Sequence, residues 1–74
     1  MTREALRNAA STLAYHWENN AGIDRIGVER MLDAYPHAHQ RLLSLMVYDY
    51  LETRGAYTAA MAFESMLYDA AVLS

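Results

Sequence analysis

The three histidines come closest to the residue types of a metal site. His37 and His39 are two positions apart, and His16 lies in an earlier segment. On a helix, residues i and i+2 point about 200° apart, whereas zinc-binding helices place their ligands at i and i+4. The chain also has no cysteine that could complete a zinc site. We therefore expect neither a bound metal nor another cofactor.

Carboxylates and hydroxyl groups fall in no catalytic arrangement. Asp49 and Glu52 are i, i+3 neighbours on a polar face, where like charges are ordinarily solvated. The sequence has no glycine-rich phosphate loop and no serine within a nucleophile-elbow glycine pattern. A helical chain of 74 residues also leaves little room to enclose a substrate. We therefore expect a protein that is not an enzyme.

The charge balance argues against nucleic acid as a direct ligand. The formal net charge is −3 and the sequence pI is near 5.4, whereas phosphate binding draws on clustered positive charge. Arg3 and Arg7 share one flank of the first segment, but surface ion pairs with acids such as Glu4 and Glu29 explain the arginines equally well. A DNA-binding or transcription-related helical domain stays an alternative.

Apolar residues recur at helical spacing along the chain, which predicts an all-α fold in a single domain over residues 1–74. Thr2 and Asp24 are the expected N-caps of the first two helices. Pro36 separates the second helix from the third, and Gly55 is the expected C′ residue of the third. We predict a compact bundle of four helices, over about residues 2–20, 24–35, 36–54 and 57–72.

The third helix has two apolar faces, so we expect it to lie between neighbours. The first face carries Leu43, Met46, Val47, Tyr50 and Leu51. We expect this face to pack on the fourth helix. The second face carries Ala38, Leu42 and Leu45, and we expect it to pack on the first or second helix. In the first helix, Trp17 lies on the apolar stripe and is the expected core anchor.

The fourth helix is apolar on two sides as well. Its main stripe runs through Ala60, Phe63 and Leu67, and the other side also carries large apolar residues with few charges between them. Exposed stripes of this kind often mark partner surfaces. We therefore predict that a protein partner binds at Tyr57, Met61, Glu64, Tyr68, Asp69 and Val72.

The segment over residues 43–64 resembles the LisH motif, a short helix-turn-helix of many eukaryotic adaptor and scaffold proteins. The motif's apolar residue, Tyr-Leu pair, turn glycine, small-residue pair and phenylalanine fall here on Val47, Tyr50, Leu51, Gly55, Ala59, Ala60 and Phe63. Two positions depart from the motif, because Ala56 precedes the aromatic Tyr57 and Ala59 replaces the usual threonine. The resemblance implies homodimerisation, with two hairpins packed as one bundle.

These patterns together predict a non-enzymatic protein–protein interaction module. We expect a helical homodimer that binds a protein partner, because a core this small contributes only about 3–5 kcal/mol without a metal, disulfide or oligomer. The alternative is a small acidic inhibitor of a host complex, encoded by a phage or mobile element and similar to an anti-CRISPR protein, whose carboxylates occupy a nucleic-acid groove.

The sequence predicts no contact with a membrane. No apolar run approaches the roughly 18 residues of a membrane span, and the first residues lack a signal-peptide pattern. We therefore expect a cytoplasmic protein, in the host cytoplasm if a phage encodes it.

Overall fold

Helices make up all the regular structure of the residues that the structure describes. A computed structural model describes residues 2–19 and 25–69. Its helices are α1 (Arg3–Asn19), α2 (Arg25–Asp33), α3 (His37–Thr53) and α4 (Tyr57–Asp69). The predicted all-α bundle of four helices is confirmed. The predicted helix ends at residues 20, 24 and 70–72, and with them the expected Asp24 cap, lie outside the described residues.

The signals at the helix ends act through local hydrogen bonds. The backbone N–H of Ala5 donates to Thr2 Oγ1 at 3.1 Å, which caps α1 as predicted. α2 ends at residue 33, two residues earlier than predicted, and the Tyr35 N–H already bonds to the carbonyl of Leu32 in a tight turn. Pro36 follows in extended conformation as the N-cap residue of α3, where its missing N–H costs nothing.

The α3–α4 turn is a Schellman motif centred on Gly55. This glycine has a φ of +79°, in the left-handed region that glycine adopts at low cost. Its N–H donates to the carbonyl of Glu52, and the N–H of Ala56 donates to the carbonyl of Leu51, both at 2.9 Å. These bonds satisfy the last carbonyls of α3 and turn the chain, so that α4 runs back along α3.

The core lies among α1, α3 and α4, and α2 packs on α1 and α3. Trp17 is fully buried, and its ring meets Phe63 edge to face with centroids 5.4 Å apart. Its indole Nε1–H donates to the carbonyl of Ala59 at 2.8 Å, which links α1 to the start of α4. The predicted role of Trp17 as a core anchor is therefore confirmed.

Only one of the two predicted apolar faces of α3 is covered. Leu43, Val47 and Leu51 are fully buried between α1 and α4. Leu42 and Leu45 are 44% and 51% exposed, so their face is not buried against the first or second helix as expected. Leu42 only borders an open groove with Leu6 and Arg7 of α1. The physical reason is that α1 and α4 flank the buried stripe, which leaves the opposite side of α3 in solvent.

Candidate protein interface

Four of the six predicted partner-binding residues form one exposed stripe on α4. Tyr57, Met61, Glu64 and Tyr68 follow each other at intervals of 4, 3 and 4 residues. This spacing places them within about 60° around the helix. The three apolar members are 63%, 69% and 60% exposed in chain order. Three large apolar side chains exposed along one side of a helix, here interrupted by Glu64, are typical of a surface that binds another molecule.

Asp69 does not share this stripe, since it lies about 100° further around the helix than Tyr68. Its Oδ2 accepts a hydrogen bond from Arg25 Nη1 at 2.9 Å, which joins the last turn of α4 to the first residue of α2. Both side chains are largely exposed, and such pairs contribute only about 0–1 kcal/mol. Asp69 therefore has a partner within the chain. The sixth predicted residue, Val72, lies outside the described residues.

A second stripe with the same spacing runs along α3, beside the first. Arg41, Leu45, Tyr48 and Glu52 are also separated by 4, 3 and 4 residues. The first three line a groove of about 310 Å³ together with Glu64 and Tyr68 of α4, and the buried Ser44 and Leu67 also line it. We name the two stripes together the α3–α4 face, which comprises Arg41, Leu45, Tyr48, Glu52, Tyr57, Met61, Glu64 and Tyr68.

Charged groups of this face are separated along α3. Arg41 lies in its first half and Glu52 close to its end, with Leu45 and Tyr48 between them. In the described part of the chain, no ion pair involves Arg41, Glu52 or Glu64. The α3 stripe therefore has an apolar middle, a positive group at one end and a negative group at the other, whereas the α4 stripe carries the carboxylate of Glu64 near its middle.

Sequence reasoning missed the contribution of α3. The hydrophobic pattern places Leu45 on a packed face with Leu42, and it marks Glu52 only as a charged neighbour of Asp49. The spacing shared by residues 41, 45, 48 and 52 was a readable signal. Whether this stripe belongs to a surface shared with α4 depends on α4 lying alongside α3, and the sequence pattern of α3 alone does not specify that.

Tyr48 and Glu52 interact on the α3 stripe. The hydrogen bond from the Tyr48 hydroxyl to the Glu52 carboxylate raises the pKa of Tyr48 from 10.0 to about 12. Partial desolvation and the negative charges of Glu52 and Glu64 act in the same direction, because each disfavours the tyrosinate. The phenol therefore stays protonated and donating at neutral pH.

We expect Tyr48 to ionise close to pH 12 in the folded protein, and Glu52→Gln to bring its pKa down towards 10. Because the folded pKa lies above the unfolded value, the stabilising effect is complete below pH 10 and is lost as the pH rises through about 12. NMR titration of the Tyr48 ring carbon in both proteins measures the difference. A Tyr48 that ionises at the same pH with and without the Glu52 carboxylate would contradict the assignment.

The described residues form neither a metal-binding cluster nor a membrane-spanning helix. Across residues 2–19 and 25–69, no three His, Asp or Glu side chains come together as ligands for a metal ion. His37 is exposed and His39 is partly buried in the first turn of α3. No helix within these ranges has the length and apolar character needed to cross a bilayer.

The LisH-like positions have the packing roles that a tight helical hairpin requires. Val47, Leu51 and Phe63 are fully buried, and Gly55 forms the turn. Tyr50 is instead 39% exposed and lies beneath the guanidinium of Arg54, 5.3 Å from its ring centroid. Comparison of the chain with protein-family models, with curated proteins and with solved structures finds no match. The LisH resemblance therefore stays a prediction.

Proposed function

We propose that this chain is a non-enzymatic protein-interaction module that uses the α3–α4 face to bind protein and that assembles as a helical homodimer. The observation that carries the proposal is the exposure of Tyr57, Met61 and Tyr68 along one line of α4. Leu45 extends the apolar surface across the groove onto α3. Burying such a surface against another protein is favourable in proportion to the apolar area removed from water.

The composition of the face favours a protein partner over a small ligand. Tyrosine is enriched at protein interfaces, because its ring is apolar while its hydroxyl still bonds to polar groups or water. The charged residues Arg41 and Glu52 lie at the ends, in keeping with the polar rim of protein interfaces. The groove of about 310 Å³ is at the small end of ligand pockets. It suits side chains from a neighbouring helix.

The second candidate is a small acidic inhibitor of a host complex, encoded by a phage or mobile element as anti-CRISPR proteins are. Exposed carboxylates of Asp49, Glu52 and Glu64 favour it, since none forms an ion pair with another described residue. Salt-sensitive capture of a nucleoprotein complex from host lysate would support this function. The inhibitor is less well supported than the interaction module, because these acids are interleaved with apolar residues and do not form a continuous acidic surface.

Met61→Glu and Tyr68→Glu test the proposed function. Each places a carboxylate in the apolar part of the face, so we expect association to weaken about tenfold or more while the helical content stays unchanged. Analytical ultracentrifugation over a concentration series measures association, and far-UV circular dichroism measures helicity. Both variants leave the core intact, because neither side chain is buried.

Tyr15→Glu is the matched control. Tyr15 is 68% exposed, much like Met61, but it lies on the outer side of α1. We expect this variant to associate as the unchanged protein does. A folded Met61→Glu protein with unaltered association would overturn the use of this face. Loss of association in Tyr15→Glu as well would indicate a general effect of added negative charge.

A further inference from the structure

We propose that the protein covering the α3–α4 face is a second copy of this chain, bound antiparallel so that Arg41 of each copy pairs with Glu52 of the other. The inference rests on the proposed function, since it takes the α3–α4 face as the binding surface. It adds the occupant, the direction of packing and the register.

The spacing of both stripes is the same in either chain direction. Intervals of 4, 3 and 4 residues read identically from the N-terminal and the C-terminal end. A two-fold axis parallel to the face, and perpendicular to the helices, therefore superimposes the positions of each stripe on those of its own copy. In such an isologous interface, residue i contacts residue j and residue j contacts residue i.

On α3, the side chains that face each other in the antiparallel dimer are complementary. Arg41 falls opposite Glu52, which places a guanidinium near a carboxylate twice in each dimer. Leu45 falls opposite Tyr48, so that an aliphatic side chain packs on a ring. Neither Arg41 nor Glu52 forms an ion pair with another described residue of its own chain. The second copy supplies a group of opposite charge to each of them.

The register on α4 agrees with that on α3. Tyr57 falls opposite Tyr68 of the other copy, and Met61 falls opposite Glu64. The axis then passes between residues 45 and 48 on α3 and between residues 61 and 64 on α4. Arg41 and Leu45 line one groove with Tyr68 and Glu64. Because α3 and α4 run in opposite directions, placing Arg41 beside Tyr68 and Leu45 beside Glu64 brings the two midpoints to about the same level.

Distances along the helices are equal for the two stripes. Arg41 and Glu52 are eleven residues apart, as are Tyr57 and Tyr68, which corresponds to about 16.5 Å of helix. One antiparallel arrangement therefore satisfies both stripes at once. A two-fold axis parallel to the helices would instead place α3 opposite α4 of the other copy, which leaves Arg41 and Glu52 at opposite ends of the interface and unable to pair with each other.

Charge reversal tests the register in the full-length chain. We expect Arg41→Glu alone and Glu52→Arg alone to raise the dimer dissociation constant about tenfold or more, because each variant brings like charges together twice. The double variant Arg41→Glu with Glu52→Arg restores the pairing in reverse, so its dissociation constant should return to within about threefold of the unchanged protein. Analytical ultracentrifugation gives the constants, and circular dichroism confirms that each variant is folded.

Glu64→Gln provides a second test, because a second copy of the chain and a basic protein predict opposite changes in binding strength. In the proposed dimer the Glu64 carboxylate faces Met61 without a cation opposite, so removing its charge should strengthen self-association. If the face instead binds a basic protein, the same substitution should weaken that binding. The substitution is conservative in volume and lies at an exposed position, so the fold is retained.

The outcomes separate this inference from the proposed function. Rescue by the double variant supports the antiparallel register. A dimer that Met61→Glu disrupts, but that the double charge reversal does not restore, overturns the register and leaves the face as the interface. A monomer at every concentration overturns the second copy as occupant and the homodimer of the proposed function, and leaves the binding of another protein at this face as the part that stands. A dimer insensitive to Met61→Glu and to Arg41→Glu overturns both proposals.

Discussion

Replacing Trp17 by alanine lowers the free energy of unfolding by about 3–5 kcal/mol, the range for large-to-small changes at fully buried aromatic sites. The side chain is fully buried and packs edge to face on Phe63. The substitution also removes the hydrogen bond from its indole to the carbonyl of Ala59. The loss is comparable with the whole net stability of a core this small, about 3–5 kcal/mol. We therefore expect Trp17→Ala to be largely unfolded.

Urea denaturation followed by far-UV circular dichroism measures this effect without relying on fluorescence of the single tryptophan. Tyr15→Ala is the control on the same helix, because Tyr15 is exposed and its truncation should change stability by less than about 0.5 kcal/mol. Equal losses in the two variants would show that helix α1 responds to any truncation. A Trp17→Ala protein as stable as the unchanged one would contradict the packing described above.

Features that depend on a few neighbouring residues were predictable from the sequence. Thr2 caps α1 through an N–H three residues ahead, and Gly55 ends α3 through bonds that span at most five residues. Pro36 separates two helices by its own covalent geometry. Each of these effects is complete within five residues, so no knowledge of the rest of the fold is needed.

The side of α3 that faces the core was only partly predictable. Leu43, Val47 and Leu51 form an apolar stripe, and so do Leu42 and Leu45 with Ala38. Hydrophobic periodicity alone predicts burial for both stripes equally well. The choice between them depends on where α1 and α4 lie, and this arrangement is fixed by contacts between residues far apart in sequence, such as Trp17 with Phe63.

In the candidate interface, too, features set by one helix were predictable and features set by contacts between helices were not. The stripe Tyr57, Met61, Glu64 and Tyr68 was identified because the core stripe of α4 is separately recognisable, which leaves the other side for solvent or a partner. Asp69 was grouped with that stripe, but its ion pair with Arg25 of α2 depends on tertiary structure. The α3 half of the face was missed for the same reason, since it requires α3 and α4 to lie side by side.

Substitution of Gly55 by valine tests the connection that holds those two helices side by side. Its φ of +79° is unfavourable for any residue with a Cβ and most unfavourable for a β-branched one. A Cβ added at this position meets no atom within 4 Å. The cost therefore comes from the backbone conformation and not from a clash. We expect Gly55→Val to lower the free energy of unfolding by about 1–3 kcal/mol.

Gly55→Asn is the matched control, because asparagine adopts the left-handed region more readily than other residues with a Cβ. Urea denaturation of both variants should show a clearly smaller loss for asparagine than for valine. Equal losses would mean that the turn depends on the absence of a side chain and not on φ. The Schellman bonds at Gly55 direct α4 back along α3, so a valine that displaces the turn should also weaken association through the α3–α4 face. Asparagine, which keeps the turn, should leave that association unchanged.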